Sequence, residues 1–362
     1  MLDYKKIWYR YFFTRFAVLV LSLTLISFCF FVLADLLAHI KDICHDTTTW
    51  RTWAAYYTCL LFYRLDVLIP FSIATATALF LPRLLRNNEF VPLMNAGLSL
   101  TQILKPFIAV TILASLLLWI NEQCAYPKAV ARFNEIVDSD FGREALPAEP
   151  VRLGTVFLKS GSRLFFNAHH PKLRRLDDVF WVRSADRAIH IEKLFYFKDR
   201  IAEGHGVDVV ERDGSGTMVK TGSYAFCELT ELQFTEETLR MATADPQELS
   251  LLQLISLART TGTSKSLRGT ENTLALLLKL CSPLLAWLAF LFPAPLCLRF
   301  ERRIPQALLV FFSLASLFCF HLIVQAAMIL GKAPLFGSSL IVIIPWTMAL
   351  FFTIRRARTL GT

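Results

Sequence analysis

Residues 16–40 read FAVLVLSLTLISFCFFVLADLLAHI, twenty-five residues with one formal charge, Asp35. Coiled as an α-helix the stretch is about 37 Å long, more than a ~30 Å hydrocarbon core requires. The same reading holds near 60–82, 102–120, 272–298, 306–330 and 335–354. The predicted fold class is therefore membrane α-helical: six transmembrane helices arranged 3+3, separated by a polar segment of about 150 residues. Pro70, Pro106, Pro283, Pro293, Pro295 and Pro345 kink or bound these helices, which neighbouring helices tolerate by re-satisfying freed backbone groups.

Composition agrees. Of 362 residues, 55% are hydrophobic and 19% charged, where soluble domains carry roughly 25% charge; mean hydropathy is +0.48. With 31 Phe against 14 Gly and 15 Pro, disorder and low-complexity classes are excluded. The first apolar run is too long for a cleavable signal, and no small-residue cleavage site follows it.

The net charge of +9 is not a nucleic-acid signature. Between Glu122 and Glu271 there are 20 Lys/Arg and 22 Asp/Glu, so the excess of cations lies in and around the apolar runs. It lies there asymmetrically. Lys5, Lys6, Arg10, Arg15, Arg83, Arg86, Lys105, Arg299, Arg302, Arg303, Arg355, Arg356 and Arg358 share one face, against Lys41, Arg51 and Lys332 in the opposite short loops. Lys/Arg-rich loops stay cytoplasmic, so both termini are expected inside and the insert outside.

The insert reads as β: Thr155–Lys159, Arg163–Ala168, Val179–Arg183, Ala188–Lys198 and Val207–Glu211 are rich in Val, Ile, Phe and Tyr. Gly-containing turns at Ser160-Gly161-Ser162, Asp213–Gly216 and Thr221-Gly222-Ser223 separate them. Many short strands at close spacing predict a jelly-roll-like all-β domain, followed by a connecting helix over Asp245–Arg259 with Leu249, Leu252 and Ile255. The predicted domains are 1–125 (three spans with a cytoplasmic loop, 83–105), 126–245 (β) and 246–362 (connector and three spans).

No P-loop is present. Thr261-Gly262-Thr263-Ser264-Lys265-Ser266 lacks the glycine before lysine and follows no strand. HExxH, GxSxG and clustered metal ligands are also missing, and His169-His170 reads as a solvated strand end. The eight cysteines show no CxxC; a disulfide among Cys44, Cys59, Cys124 and Cys227 is open, with nothing in the spacing to argue for one.

Two constellations remain. The first is the loop Arg86-Asn87-Asn88-Glu89-Phe90-Val91-Pro92-Leu93-Met94-Asn95-Ala96-Gly97-Leu98-Ser99. Phe90, Leu93 and Met94 fall at i, i+3, i+4, predicting a short amphipathic helix ending near Gly97. It either lies on lipid or enters a groove on a soluble partner. The second is charge inside the spans: Asp35, Arg64, Asp66 and Lys279. A mid-helix charge costs about 2.5–3.5 kcal/mol on insertion scales, so such groups pair or face a polar cavity. Asp35 lies roughly 28 Å along its span and Arg64 and Lys279 roughly 6–10 Å from the outer ends of theirs, which places all three in the outer half. Either they are structural, with a pair such as Asp35–Arg64, or the cations Arg64 and Lys279, with Lys41 and Arg132, meet phosphate. His321 and Gln325 share a face of the fifth span.

The basic-aromatic start from Leu2-Asp3-Tyr4 to Phe16, the Glu89…Ala96-Gly97-Leu98-Ser99…Pro106 stretch, Asn121-Glu122 and Pro127 after the third span, the β-rich insert and Lys279…Pro283 together resemble the LptF/LptG permease family, over nearly the whole chain, with a slight lean to LptG in the short N-terminal region. Pro92 and Asn88 depart from the family's usual loop. The resemblance implies an inner-membrane permease subunit of an ABC-type exporter. Such a subunit extracts lipopolysaccharide from the outer leaflet of the inner membrane. It implies that Arg86, Glu89, Phe90, Leu93, Met94, Gly97 and Ser99 couple to a cytoplasmic ABC ATPase dimer (LptB-like), which would hold the ATP and Mg; this chain would bind no cofactor and catalyse nothing covalent. It implies phosphate contacts from Lys41, Arg64, Arg132 and Lys279, and a lateral gate to a sister permease (LptF- or LptG-like) near Asp35, His321 and Gln325. Periplasmic jelly-roll bridge proteins (LptC/LptA-like) would receive the lipid. Two other classes stay open on the residues alone: a membrane-embedded enzyme acting on lipid or peptide, with Asp35 and Asp66 its testable acids, and a tethering protein with a β receptor domain.

The charge asymmetry predicts that a reporter fused after Thr362 reads cytoplasmic and one placed within 160–230 reads the far side. The reverse pattern would overturn every orientation given above.

Overall fold

A computed structural model describes residues 2–38, 50–140, 154–158, 161–170, 173–197, 201–214, 216–230, 232, 234, 239, 246, 249–261, 267–299, 305–331, 343–349, 351 and 355. The chain divides into two compact units, one of residues 1–141, 250–254 and 265–362 and one of 142–249 and 255–264.

The helical unit holds α1 (Leu2–Ala38), α2 (Trp50–Arg86), the short α3 (Phe90–Asn95) and α4 (Leu100–Ile120). A π-helical turn (Asn121–Ala125) carries α4 into α5 (Tyr126–Asp140). After the β unit come α6 (Leu251–Thr261), α7 (Leu267–Cys281), α8 (Leu284–Leu291), α9 (Pro293–Arg299) and α10 (Gln306–Gly331). Four stretches are long and apolar enough to cross a membrane: Ile7–Ala38, Trp50–Arg86, Leu100–Asn134 and Gln306–Leu330. A fifth, Glu271–Cys281 with Leu284–Leu298, is bent by 49° at its break. The expected sixth span, 335–354, lies mostly outside the described residues; 343–349 are helical.

The helices assemble on an aromatic knot. Phe12, Phe16 and Val20, at i, i+4, i+8, turn one stripe of α1 inward. Phe16 meets Phe107 edge-on at 5.1 Å and lies 5.9 Å from Phe80 and 6.5 Å from Phe290. Opposite, α2 buries Ser72, Ile73, Ala74, Ala76, Thr77 and Ala78; small residues let helices approach closely where lipid supplies no hydrophobic drive. Their hydroxyls cost nothing there, because Ser72 and Thr77 donate to the carbonyls of Leu68 and Ile73 at 2.7 Å. Pro70 and Pro82 lie inside α2 without ending it.

The β unit is one antiparallel sheet of six described strands in the order β1-β2-β3-β4-β5-β6: Gly154–Phe157, Arg163–His170, Arg175–Ser184, Arg187–Phe195, Ala202–Arg212 and Met218–Leu229. Every described strand pairs with its chain neighbour, so the order is a meander and lacks the Greek-key crossovers of the expected jelly roll. A single sheet still encloses a core because it is creased. The buried positions run Trp181, Val179, then Leu176 in β3 and Ile189, Ile191, then Leu194 in β4, a change of parity that sends side chains to the other face. The change falls at Asp178 (φ 53) and, two strands across, at Gly206 (φ 67). A Cβ on Gly206 would sit 2.9 Å from the Glu192 carboxylate, so that close approach needs glycine. Thr221-Gly222-Ser223, read above as a turn, lies inside β6. Val209 pairs with Gly222 and Val210 with Lys220, leaving Thr221 as the extra residue of a bulge.

The connecting helix begins later than Asp245. Ser250 and Gln253 form a reciprocal cap, Ser250 N–H donating to Gln253 Oε1 at 2.9 Å and Gln253 N–H to Ser250 Oγ at 3.2 Å. Leu251 and Leu254 are buried there, whereas Leu252 is 70% exposed. Cys59, Cys124 and Cys227 are free thiols; Cys44 lies outside the described residues. His169 is tied to the Tyr196 hydroxyl at 2.9 Å and His170 to Asp177 at 3.2 Å, and the described residues hold no cluster able to bind a metal.

On the outer face of the sheet, the Lys220 ammonium and then the Ser223 hydroxyl hold the Asp208 carboxyl below its usual range, both at 2.7 Å. A depressed folded-state pKa contributes stability above the unfolded value of about 3.9 and loses it as pH falls through the folded value. Asp208→Asn should therefore weaken the β unit at neutral pH and flatten its acid limb below about pH 4, read by pH-dependent thermal unfolding of the full chain. An unchanged acid limb would assign the contact no role.

Candidate functional site

The loop between the second and third spans is built from two helix stops and one start. At the end of α2, Asn88 takes φ 56, its N–H donates to Leu85 O at 3.1 Å, and Glu89 N–H donates to Leu84 O at 3.0 Å. At the end of α3, Gly97 takes φ 80, donates to Met94 O at 2.9 Å, and Leu98 N–H donates to Leu93 O at 3.1 Å. Each is the left-handed double-bonded stop that favours Gly and next Asn at that position. Ser99 then opens α4 in a capping box with Gln102. Pro92 does not disturb α3, because it sits in the first turn, where no intrahelical partner awaits its missing N–H.

This geometry divides the predicted coupling residues. Phe90 is 3% exposed, and Leu93 packs against the same core, so these two anchor the loop to the bundle. Val91 and Met94 are 51% and 54% exposed. Arg86, Gly97 and Ser99 are exposed, and Glu89 is half-buried, accepting from Asn87 Nδ2 at 3.3 Å. A polar and apolar surface is thus held on a rigid double-capped turn.

The second site is a polar centre inside the helical unit. The π turn inserts one residue into the helical ladder and turns Asn121 and Glu122 inward, 6% and 7% exposed. Asn121 Nδ2 donates to Phe62 O of α2 at 3.0 Å. The Ser282 hydroxyl, at the break between α7 and α8, hydrogen-bonds to Glu122 Oε1, and Ser115 Oγ of α4 donates to the Pro283 carbonyl at 2.9 Å. Lys279, 5% exposed, lies within electrostatic reach of Glu122 and sets its ammonium 4.5 Å from the Tyr126 ring centre.

The predicted intramembrane charges converge here. Arg64 lies 4.7 Å over Tyr63 and 5.2 Å over Phe31, and Tyr63 stacks on Tyr126 at 5.6 Å. Arg64 and Lys279 are thereby linked through two stacked tyrosines. Asp35 follows Phe31 by one helical turn and lies within electrostatic reach of Tyr57. Arg132 is exposed beside Phe133, which stacks on Tyr56 at 5.0 Å. His321 is half-buried within reach of Asp66, while Gln325 is exposed. Lys41 lies outside the described residues. Lys279 is the residue whose setting differs most from expectation, enclosed by the chain's own side chains. Ser282, Ser115 and Tyr126 were not singled out from sequence; Asn121-Glu122 was named there as part of the family resemblance, without a role.

Comparison with curated proteins finds no match. Against protein families, residues 10–357 match the lipopolysaccharide export system permease LptF/LptG. Nearly the whole chain lies inside that match, spans and β unit alike, and the protein therefore belongs to the LptF/LptG family of lipopolysaccharide export permeases.

Proposed function

We propose that the chain is one permease subunit of an ABC-type exporter that lifts lipopolysaccharide from the outer leaflet of the inner membrane and passes it to a periplasmic bridge. The observation that carries this reading is the family match over 10–357, with the spans and the β unit in the family's order. A sister permease completes the membrane cavity, a cytoplasmic ATPase dimer supplies ATP hydrolysis, and jelly-roll bridge proteins take the lipid onward.

The geometry supports a division of labour. The double-capped loop presents Glu89, Val91 and Met94 to the ATPase on a turn that Phe90 fixes to the bundle, so a push at the loop reaches the helices without being absorbed. Arg132 and Arg64 stand where a lipid phosphate would arrive, and a guanidinium can bind phosphate in a bidentate fork. In the β unit a groove of about 450 Å³ is floored by Trp181, Ile189 and Val207 and lined also by Arg183, Arg187 and Glu211. Its apolar floor suits acyl chains.

Reversing the charge at Glu89 tests the coupling step. Glu89→Lys should reduce the ATPase recovered with the purified permease by about fivefold or more, the effect of losing roughly 1 kcal/mol, while membrane insertion and sister-permease association persist. Full recovery of the ATPase would remove the loop from the coupling path.

A further inference from the structure

Beside the loop, the helical unit carries a cleft to which the export reading gives no ligand. It opens between α1 and α2 and measures about 450 Å³. Tyr11, Arg15, Val18 and Ser22 form its α1 wall, spaced i, i+4, i+7, i+11 on one helix stripe. Phe80, Arg83, Leu84 and Glu89 close the other side. A second opening shares Leu19, Phe80, Arg83 and Asn87 with it and adds Arg86.

The polar groups are graded along the cleft. Arg15 is steadied over the Tyr11 ring at 4.6 Å, and Arg83 and Glu89 stand on the same cleft. From Arg15 to Ser22 the wall deepens by about 10 Å and becomes apolar through Val18, Leu19 and Phe80. Two guanidinium groups suit one phosphodiester, a carboxylate beside them suits an ammonium, and the apolar run below suits an acyl chain. Val18 is 62% and Leu21 72% exposed, so this side of α1 is open in the single chain.

We propose that this cleft is a binding site for a zwitterionic aminophospholipid of the cytoplasmic leaflet. Its phosphodiester lies between Arg15 and Arg83, its ammonium meets Glu89, and one acyl chain lies along Val18, Leu19 and Phe80. The site is separate from the path proposed for the exported lipid. It meets the ATPase loop at Asn87 and Glu89, so bound phospholipid would stiffen the turn that carries α3. The leaflet rests on the orientation given above; the site does not.

The test uses the full chain purified in mild detergent with the sister permease, stripped of ATPase, and then re-lipidated. The probes are photoactivatable phosphatidylethanolamine and phosphatidylglycerol. Phosphatidylethanolamine should crosslink to the α1 segment around Val18 and the α2 segment around Phe80. Arg15→Ala with Arg83→Ala should cut that yield about fivefold or more, an order set by two lost charge-assisted contacts. Arg10→Ala with Lys105→Ala, which removes equal charge outside the cleft, should leave the yield unchanged. Glu89→Gln should narrow the preference for phosphatidylethanolamine over phosphatidylglycerol. Equal yields from wild type and the Arg15/Arg83 variant would overturn the proposal, as would one-for-one displacement of the lipid by the ATPase, which would make the cleft a protein-docking groove. Because crosslinking is read without ATPase present, its failure is separable from failure of the coupling role of Glu89.

Discussion

A bilayer core offers no hydrogen bond to a backbone that leaves its helix, and an unsatisfied peptide group there costs several kcal/mol. Among the described residues, the helical unit bends by 49° at Ser282–Pro283, between Glu271–Cys281 and Leu284–Leu298. The third span supplies what lipid cannot. Ser115 donates to the Pro283 carbonyl, and Glu122 bonds the Ser282 hydroxyl. The π turn exists at the position that sends Glu122 inward, and Asn121 ties the same turn to α2 at Phe62. Three spans are thus stitched through one polar centre.

That centre determines where the other charges can go. With Glu122 buried, Lys279 is retained beside it against Tyr126 rather than extended to the membrane surface. Arg64 reaches the same region through Tyr63, whereas Arg132 is exposed. The end that carries the loop is fixed by different means, the Phe16–Phe80–Phe107 knot and the paired left-handed stops at Asn88 and Gly97.

Legibility in the sequence follows the range of each interaction. Apolar runs are local, so four spans and the bent fifth could be placed before any contact was known. Strands β1 to β5 were legible as aromatic and β-branched runs between turns. β6 was not, since Gly222 looks like turn punctuation and its bulge depends on pairing with Val209 and Val210. Gly97 announced a helix end; Asn88, an equally left-handed stop, looked like any polar loop residue. The i, i+3, i+4 pattern of Phe90, Leu93 and Met94 gave a helix correctly but not its facing, because the bundle takes Phe90 and Leu93 and leaves Met94 out. The Glu122–Ser282 contact joins residues 160 apart, and no local pattern encodes it.

A double-mutant cycle on that contact tests the stitching directly. Glu122→Met, Ser282→Ala and the double variant would be compared by reversible unfolding of the full chain in bicelles. If Glu122 and Ser282 hold the broken span together, the pair shows a coupling of roughly 1–3 kcal/mol, so the double variant loses less than the two singles combined. Strictly additive losses would mean that the two side chains act independently and that something else secures the break.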